Sequence, residues 1–452
     1  MTQLLYLLAA VAFIFGLKQL GSPRTARNGN MIASAGMLLA IVVTLIDQEI
    51  ASWGTVIAGL IVGGAVGATL AIRVQMTAMP QLVAAFNGFG GLASTLVALA
   101  EIDRFEGQFE IETSVVTALA LAIGTVTFSG SFIAFGKLQG VLPGRPILLP
   151  AGQVLNGALA LGLVVLGIWA TAADSALAFW LIVAVAFALG ILGVIPIGGA
   201  DMPVVISLLN SLSGVAASMA GFVISNEALI IGGALVGAAG MILTLQMGEA
   251  MNRSLANVLF SGFGSDAGGA AVMSDKPVKS ATADDVAISL AYAERVIVVP
   301  GYGLAVAQAQ HAVRDLARDL ESRGIEVNYA IHPVAGRMPG HMNVLLAEAD
   351  VPYDQLLDLD QSNPRFQQTD VVLIIGANDV VNPSARDDST SPIYGMPILE
   401  VDKAQTVVVV KRSLSPGFAG IDNPLFYEDG TMMFFSDGKL ALESILSAIG
   451  EL

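Results

Sequence analysis

The first half of the chain is a series of long apolar stretches separated by short polar loops. A helix of about 20 residues rises about 30 Å, which matches the hydrocarbon thickness of a bilayer. Because lipid cannot satisfy free backbone groups, each stretch is expected to form a transmembrane helix. The pattern predicts about nine spans, at residues 2–20, 31–46, 54–72, 81–100, 114–135, 153–172, 176–195, 202–224 and 228–247.

Basic residues are distributed unequally over the loops between these spans. One side collects Lys18, Arg24, Arg27, Arg73, Lys137, Arg145 and Arg253. The other side holds Arg104 among the acidic residues Asp47, Glu49, Glu101, Asp103, Glu106, Glu110 and Glu112. Cytoplasmic loops carry the excess of Lys and Arg, so the pattern predicts an external N-terminus and a cytoplasmic location for everything after Met247.

The second half of the chain has a different pattern. Residues 262–285 are rich in Gly, Ala, Ser and Asp without apolar periodicity, which is typical of a flexible tether. Strand-like runs then follow at 296–299, 326–330, 371–375, 398–401, 407–410 and 432–435, and amphipathic helices are predicted at 304–322 and 440–449. Alternating strands and helices predict a doubly wound, Rossmann-like parallel α/β sheet. We therefore expect a transmembrane domain at 1–248, a linker at 249–290 and a nucleotide-binding domain at 291–452.

Composition narrows the function further. The chain is 55% hydrophobic and carries a net charge of −16, which argues against a nucleic-acid partner. Cysteine is absent, so no disulfide framework or thiolate metal site is possible, and no metal centre is expected. The lipid bilayer is the expected environment of the first half.

A glycine-rich turn follows the first predicted strand. Gly301, Tyr302 and Gly303 lie directly between that strand and a helix, with Ala305 and Val306 in the first helical turn. Bare backbone can approach a pyrophosphate in this context, and the start of a helix carries partial positive charge. Val306 replaces the usual third small residue, so a tight turn without a ligand stays open as an alternative.

The charges near the other strand ends favour a phosphorylated nucleotide. The second strand ends without the acid that NAD-specific folds place against the ribose diol, because Ile331, His332 and Pro333 follow it. Lys411, Arg412 and Ser413 at the end of a later strand offer two cations and a hydroxyl for a 2′-phosphate. A solvated strand end is the alternative for these residues. Two further glycine-rich loops, at 334–341 and 376–380, are candidates to line the cleft.

These residues together resemble those of a known family. The resemblance is carried by Pro300-Gly301-Tyr302-Gly303, the segments 305–310 and 332–337, Gly376-Ala377-Asn378-Asp379 and Lys411-Arg412-Ser413 in the second half, and by Met79-Pro80-Gln81, 130–137, Gly199-Ala200-Asp201-Met202-Pro203 and 250–254 in the first half. Essentially the whole chain resembles the beta subunit of proton-translocating nicotinamide nucleotide transhydrogenase.

The resemblance implies that this chain holds NADP(H), in an inverted orientation, while a separate alpha subunit holds NAD(H). Hydride would pass directly between the two nicotinamides without flavin or metal, coupled to proton movement (NADH + NADP⁺ + H⁺out to NAD⁺ + NADPH + H⁺in). The implied setting is a bacterial inner membrane, and the implied assembly is a dimer of the complete alpha–beta unit. No residue of this chain would act as a catalytic acid or base.

The cofactor-binding residues that the resemblance implies lie in several segments. They are Gly301, Tyr302, Gly303, Ala305, Val306, Val334, Ala335, Gly336, Arg337, Met338, Pro339, Gly376, Ala377, Asn378, Asp379, Val380, Gly395, Met396, Lys411, Arg412, Ser413, Gly417, Phe418 and Asp437. Many relatives have Tyr in place of Phe418, so a hydrogen bond from this position is lost while its packing can remain.

The expected proton path consists of Asn87, Ser131, Asp201 and Asn210. Some branches of the family carry His at the position of Asn87, and an asparagine cannot bind and release a proton itself. The titrating group would then come from the alpha subunit's membrane segment or from water held by Asn87, Ser131 and Asn210. Hydrogen bonding between helices is the alternative role for Asn87, Asn210 and Ser131, and is favoured for Ser131. For Asp201 the alternative is a helix N-cap.

Two rival functions follow from the same sequence. An NADP(H)-gated transporter or channel would bind the nucleotide in a regulatory Rossmann domain without turnover. A membrane-anchored NADP-dependent dehydrogenase would need an acid or base beside a substrate pocket, and His332 and His341 are the available histidines there.

Overall fold

The computed structural model describes residues 2–47, 53–75, 78–104, 110–144, 146–173, 175–199, 201–252, 254–260, 277–337, 340–391, 393–417 and 419–452. Three of the expected site residues, Met338, Pro339 and Phe418, lie outside these ranges, as does part of the predicted tether. Two compact units are present. The first contains the described residues up to 245 and those of 255–260, and the second contains those of 246–254 and from 277 onward.

The described part of the first half confirms the membrane-spanning pattern, with nine helices long and apolar enough to cross a bilayer. Their bounds are α1 Thr2–Leu20, α2 Pro23–Asp47, α3 Trp53–Arg73, α4 Met79–Arg104, α5 Ile111–Leu138, α6 Gly152–Ala173, α7 Ala176–Val194, α8 Met202–Val223 and α9 Glu227–Ala250. The chain is therefore a membrane protein. Several helices extend beyond the apolar runs, since polar residues at the interface can continue a helix.

The centre of the bundle is formed by α4, α5 and α8, which carry most of its buried residues. Small residues allow these helices to approach closely. A Cβ atom added to Gly91 would lie 2.5 Å from the carbonyl oxygen of Gly124, and one added to Gly214 would lie 2.3 Å from the amide of Gly237. The Ser211 hydroxyl donates to the Gly237 carbonyl at 2.6 Å. Polar side chains inside the bundle thus bond to the backbone of neighbouring helices.

The second unit is a six-stranded, all-parallel sheet in the order β3-β2-β1-β4-β5-β6. Its strands are β1 Arg295–Pro300, β2 Glu326–Ala330, β3 Leu356–Leu357, β4 Val371–Ile375, β5 Thr406–Lys411 and β6 Thr431–Phe435. The short helix α10 Leu255–Phe260 belongs to the first unit. The helices of the second unit are α11 Ala283–Ala291, α12 Tyr302–Val306, α13 Gln310–Ser322, α14 His341–Glu348, α15 Leu359–Ser362, α16 Ser384–Asp387 and α17 Gly438–Gly450. This is the strand order of dinucleotide-binding folds, and it confirms the predicted fold class.

The central strands are apolar on both faces. All five residues of β4 are buried, and β1 and β5 are buried over four or five consecutive positions. Runs of Val and Ile suit strands that are covered by other elements on both sides. The order of the sheet reverses between β1 and β4, so the loops after these two strands diverge at one edge. A crevice is expected at the carboxyl ends of strands at such a point.

Two local predictions need correction, and one strand was not predicted. Residues 398–401 were expected to form a strand, but Leu399 and Val401 are buried in an irregular segment that leads into a 3₁₀ turn at Val401–Lys403. An apolar run alone cannot distinguish a buried loop from a strand. The two-residue β3 was too short to predict. The helix expected at 304–322 is interrupted between α12 and α13, where Gln308 has a φ of 50°.

Candidate dinucleotide-binding site

Two glycine turns interlock at the carboxyl edge of the sheet. The amide of Gly301 donates to the Ile375 carbonyl at 2.9 Å, and the amide of Gly303 donates to the Gly376 carbonyl at 2.9 Å. A Cβ atom on Gly301 would lie 2.4 Å from the backbone of Ala377, and one on Gly303 would lie 2.6 Å from the Cα of Gly376. Gly376 itself has a φ of 65°, which favours glycine. The turn after β1 and the turn after β4 therefore form one backbone-packed unit.

These backbone contacts explain in part why glycine occupies positions 301 and 303, because a side chain there would meet protein backbone even without a ligand. Gly301 and Gly303 face protein backbone, whereas the sequence alone suggested that they face a pyrophosphate. The helix that follows, α12, is only 5 residues long, so its dipole is weaker than that of a long helix. Ala305 is buried under it, and Val306 is 47% exposed.

Arg337, Tyr302 and His341 form a cluster beside the glycine turn. The guanidinium carbon of Arg337 lies 4.4 Å from the centroid of the Tyr302 ring, and the His341 ring lies 6.3 Å from the same ring. The Arg337 amide donates to Nδ1 of His341 at 3.1 Å. Burial raises the pKa of Tyr302, so its hydroxyl stays protonated at neutral pH. The cluster holds a cation and an aromatic face next to the turn after β1.

His332 connects two of the segments that were expected to line the cleft. It is 1% exposed, and its Nε2 lies 2.7 Å from the Pro397 carbonyl while its Nδ1 accepts the Val334 amide at 3.2 Å. Only the neutral ring protonated at Nε2 satisfies both contacts. Burial lowers the pKa of His332 to about 4, which keeps this form at neutral pH. His332 is thus a structural connection between the loop after β2 and the segment at 395–398.

Lys411 ends β5 at the same edge of the sheet. Its ammonium donates to the Ser415 carbonyl at 2.7 Å and lies 4.9 Å from the centroid of the Phe426 ring. Burial lowers the pKa of Lys411, and Asp379 and Asp422 oppose that effect. Arg412 and Ser413 follow on the exposed side. The Ser413 hydroxyl lies 2.9 Å from that of Ser415. The strand end therefore places a fixed lysine beside an exposed arginine.

The loop after β5 folds back onto the turn after β4. Asp379 accepts the Ala419 amide at 3.0 Å, and a Cβ atom on Gly417 would lie 2.4 Å from a carboxylate oxygen of Asp379. The Asn423 side chain donates to the Asn378 carbonyl at 3.1 Å. A side chain at position 417 would displace the Asp379 carboxylate, which accepts the Ala419 amide, so glycine favours the close approach of the two loops.

The remaining candidates of the second unit have clear local roles. Gly395 has a φ of 79°, and its amide donates to the Ala385 carbonyl at 2.8 Å. Met396 is buried with Ala385, Ile393 and Ile398. Asp437 is the N-cap of α17 and accepts the Lys439 amide at 3.1 Å. These contacts shape the edge.

The predicted residues that directly follow β1, β2, β4, β5 and β6 in the described ranges lie at the carboxyl edge, as a parallel sheet requires. Sequence reasoning missed Asp422 and Asn423, which hold the loop after β5 in place. Asp422 accepts from the Tyr427 hydroxyl at 3.0 Å, and its carbonyl accepts the Asn382 side chain at 3.0 Å. The polar run around Gly420 was the signal that could have indicated them. No group of three or more potential metal ligands occurs in the described ranges.

The candidates in the membrane unit lie on α4, α5 and α8. Asn87 of α4 is buried and donates to the Ile206 carbonyl of α8 at 3.1 Å. Ser131 of α5 is 0% exposed, and its hydroxyl has no hydrogen-bond partner among the residues that the structure describes. A Cβ atom on Gly88 would lie 3.3 Å from that of Ser131, so Asn87 and Ser131 lie at one helix crossing. Asn210 lies one helical turn along α8 from Ile206 and is half-buried.

Asp201 lies at the start of α8. It is 7% exposed and occupies the N-cap position, with a proline in the first turn. Its side chain makes no capping hydrogen bond to the described first turn of that helix. Asp201 takes the N-cap position that the sequence allowed.

Comparisons with known proteins match this architecture. The family model described as NAD(P) transhydrogenase beta subunit matches residues 2–448. Two relatives from Rhodospirillum rubrum, each named NAD(P) transhydrogenase subunit beta, are 50% identical to this chain over an alignment of 459 positions, which covers 99% of this chain and 99% of theirs. The chain belongs to the NAD(P) transhydrogenase beta subunit family. The resemblance inferred from the sequence is confirmed.

Membership in the transhydrogenase family has three direct consequences. The chain is part of a transhydrogenase enzyme, and its activity requires an alpha subunit. Its nucleotide is of the NAD(P) type. The Rossmann-like sheet with its interlocked turns is the part of this beta subunit whose fold suits that ligand.

The neutral state of His332 makes the stability of the sheet unit dependent on pH. The unfolded chain binds a proton at His332 between pH 6.5 and about 4, whereas the folded chain does not, so stability falls as pH falls through this window. The expected loss is about 3 kcal/mol. Pulse proteolysis of the purified full chain in urea, at pH values from 7 to 4.5, measures it. His332→Gln is expected to lower stability at pH 7 and to flatten this pH dependence.

The matched control is His311→Gln, because His311 is exposed on α13. This variant is expected to retain the wild-type pH dependence. An unchanged pH dependence in His332→Gln would contradict the assignment of His332 as a buried, neutral histidine that connects the two segments.

Proposed function

We propose that the carboxyl edge of the sheet binds NADP(H) and that hydride passes directly between it and NAD(H) on the alpha subunit. The proposal rests on the placement of Lys411 and Arg412 at the same edge of the sheet as the interlocked glycine turns. No carboxylate follows β2, where His332 is buried and neutral instead. A 2′-phosphate needs cations and a ribose diol needs an acid, so this edge fits the phosphorylated nucleotide.

The residues of the edge fit such a ligand in complementary ways. Lys411, Arg412 and Ser413 would hold the 2′-phosphate. Arg337, beside Tyr302, would face a second anionic group, since a guanidinium can bind phosphate through two hydrogen bonds. The turns at 301–306 and 376–380, the loops at 334–339 and 417–418, and Gly395, Met396 and Asp437 would line the remainder. A nicotinamide ring supplies the hydride chemistry when it is bound.

No acid or base of this chain is needed for the transfer. A hydride moves with its electron pair from one ring to the other, so the protein contributes orientation and exclusion of water. His332 has both ring nitrogens occupied by backbone groups, which fits a positioning role. This argues against a stand-alone dehydrogenase, which would need a proton-transfer group beside its substrate.

The membrane unit would couple this transfer to proton movement. Moving one charge through about 100 mV supplies about 2.3 kcal/mol, which shifts a nucleotide ratio about 40-fold. We assign the path to Asn87, Ser131, Asp201 and Asn210. Asn87 and Ser131 lie at one crossing of buried helices, and the Ser131 hydroxyl, unbonded among the described residues, suits a water molecule. The alpha subunit's membrane segment, or such water, would supply the titrating group.

The same proposal includes the membrane topology, the domains and the assembly. The loop charges favour an external N-terminus and a cytoplasmic nucleotide unit in the inner membrane of a bacterium. Residues 1–248 would form the proton channel, 249–290 the linker and 291–452 the NADP(H) domain. Two complete alpha–beta units would associate as a dimer.

Isotope transfer tests the reaction itself. NADH deuterated at C4 and NADP⁺ are supplied to the chain reconstituted with its alpha subunit in vesicles. Because the hydride would not exchange with water, we expect the deuterium in the NADPH product, as mass spectrometry measures. Deuterium in the solvent would contradict direct transfer. Absence of any NADPH would favour the rival function, an NADP(H)-gated transporter or channel with a regulatory domain.

Substitutions at the helix crossing test the proton path. Asn87→Leu and Asn210→Leu remove polar groups that would hold water, so each is expected to lower proton uptake into the vesicles by about 10-fold or more. A pH-sensitive dye inside the vesicles reports the uptake. Asn156→Leu is the matched control, because Asn156 of α6 donates to the Leu192 carbonyl of α7 at 3.2 Å and is therefore a polar contact between two spans that is not part of the assigned path. Full pumping by both crossing variants would contradict the assigned path.

A further inference from the structure

A buried lysine lies at the end of α5. Lys137 is 5% exposed, and its ammonium donates to the Ile195 carbonyl at 2.6 Å and to the Ile197 carbonyl at 2.7 Å. The charge pattern predicted that this residue lies in a loop, but it belongs to the last turn of the helix. Burying an ammonium in an apolar bundle is costly, and such groups commonly mark function.

The two carbonyls belong to the connection between α7 and α8. The last carbonyls of a helix have no partner within the helix, and the dipole makes that end attractive to a cation. Ile195 follows the last residue of α7 directly. Lys137 therefore fixes the point where the chain leaves α7.

The rest of this connection has few side chains to hold it. Gly198 and Gly199 follow Ile197, and the Gly199 amide donates to the Gly144 carbonyl at 2.7 Å. The connection ends at Asp201, whose amide donates to the Gly198 carbonyl at 3.1 Å. Glycines allow many backbone conformations, so the position of Asp201 depends on the fixed carbonyls that precede them.

The end of α5 is itself tied to α4. Gln81 is buried and donates to the Leu138 carbonyl at 3.3 Å. Gln81 lies on the same helix as Asn87, which contacts α8 at Ile206. Lys137 thus links the segment between α7 and α8 to α4 and α5, the two helices that carry Asn87 and Ser131.

We propose that Lys137 is a positioning residue for proton translocation, which holds the connection from Ile195 to Asp201 against α5. This rests on the proposed function, which places Asp201 on the proton path. The lysine acts through the backbone carbonyls and does not itself exchange the proton.

Lys137→Met in the alpha–beta assembly in vesicles tests this role. Loss of the two hydrogen bonds is expected to lower the proton-coupled rate from NADH to NADP⁺, per assembled enzyme, by about 10-fold or more at unchanged KM for both nucleotides. Hydride exchange between NADH and an oxidised NAD analogue through the nucleotide retained on this chain needs no proton movement and is expected to change less than about 2-fold. Lys137→Arg is expected to restore at least about a third of the coupled rate, because a guanidinium can donate to both carbonyls.

Lys18→Met is the matched control, since Lys18 is an exposed lysine in the last turn of α1. It is expected to keep the coupled rate. The inference is overturned if Lys137→Met couples like the wild type, if Lys137→Arg restores nothing, or if only the amount of assembled enzyme falls. Failure of the unmodified assembly to transfer hydride or to pump would instead overturn the proposed function, and this inference with it.

Discussion

The close approach of two backbone turns at the carboxyl edge of the sheet is the constraint on which the candidate site depends. The amides of Gly301 and Gly303 bond to the chain after β4, at distances that leave no room for a Cβ atom. These contacts extend the pairing of β1 and β4 beyond the strands themselves. They fix the start of the loop that carries Asp379, and the Gly376 amide continues the contact to β5 by donating to the Val410 carbonyl, next to Lys411, at 3.1 Å.

The membrane unit follows a related rule, because its buried polar side chains donate hydrogen bonds to backbone carbonyls. Asn87, Gln81 and Lys137 each donate to a carbonyl of another segment of the bundle, and small residues allow the helices to come close enough. Such contacts are sensitive to small displacements, because a hydrogen bond weakens quickly with distance and angle.

Hydrophobic patterning was sufficient to predict the architecture. The apolar runs located the membrane helices, and the Val-rich and Ile-rich runs located five of the six strands. It failed at 398–401, where buried apolar residues lie in a loop that packs against the core. Spacing also could not show that Gly301 and Gly303 face protein backbone. Lys137 was missed because a basic residue near a span end usually lies in solvent, and only the three-dimensional packing buries it.

The site residues were predicted at the right edge of the sheet, but their individual contacts were not. His332 was available as a loop histidine, and its connection of two segments depends on Pro397, which is far away in sequence. Asp422 and Asn423 act through contacts to Asn382 and Asn378 that no motif reveals. Long-range backbone contacts of this kind are set by the tertiary fold.

Calorimetry on the full chain in detergent, without the alpha subunit, measures whether this chain prefers the phosphorylated nucleotide. We expect NADP⁺ to bind at least about 100-fold more tightly than NAD⁺. We also expect Arg412→Ala to weaken NADP⁺ binding by about 10- to 100-fold, the value of a charge-assisted hydrogen bond. Arg318→Ala, at an exposed arginine of α13, is expected to bind as the wild type does. Equal affinity for both nucleotides, or unchanged NADP⁺ affinity in Arg412→Ala, would contradict the proposed NADP(H) site.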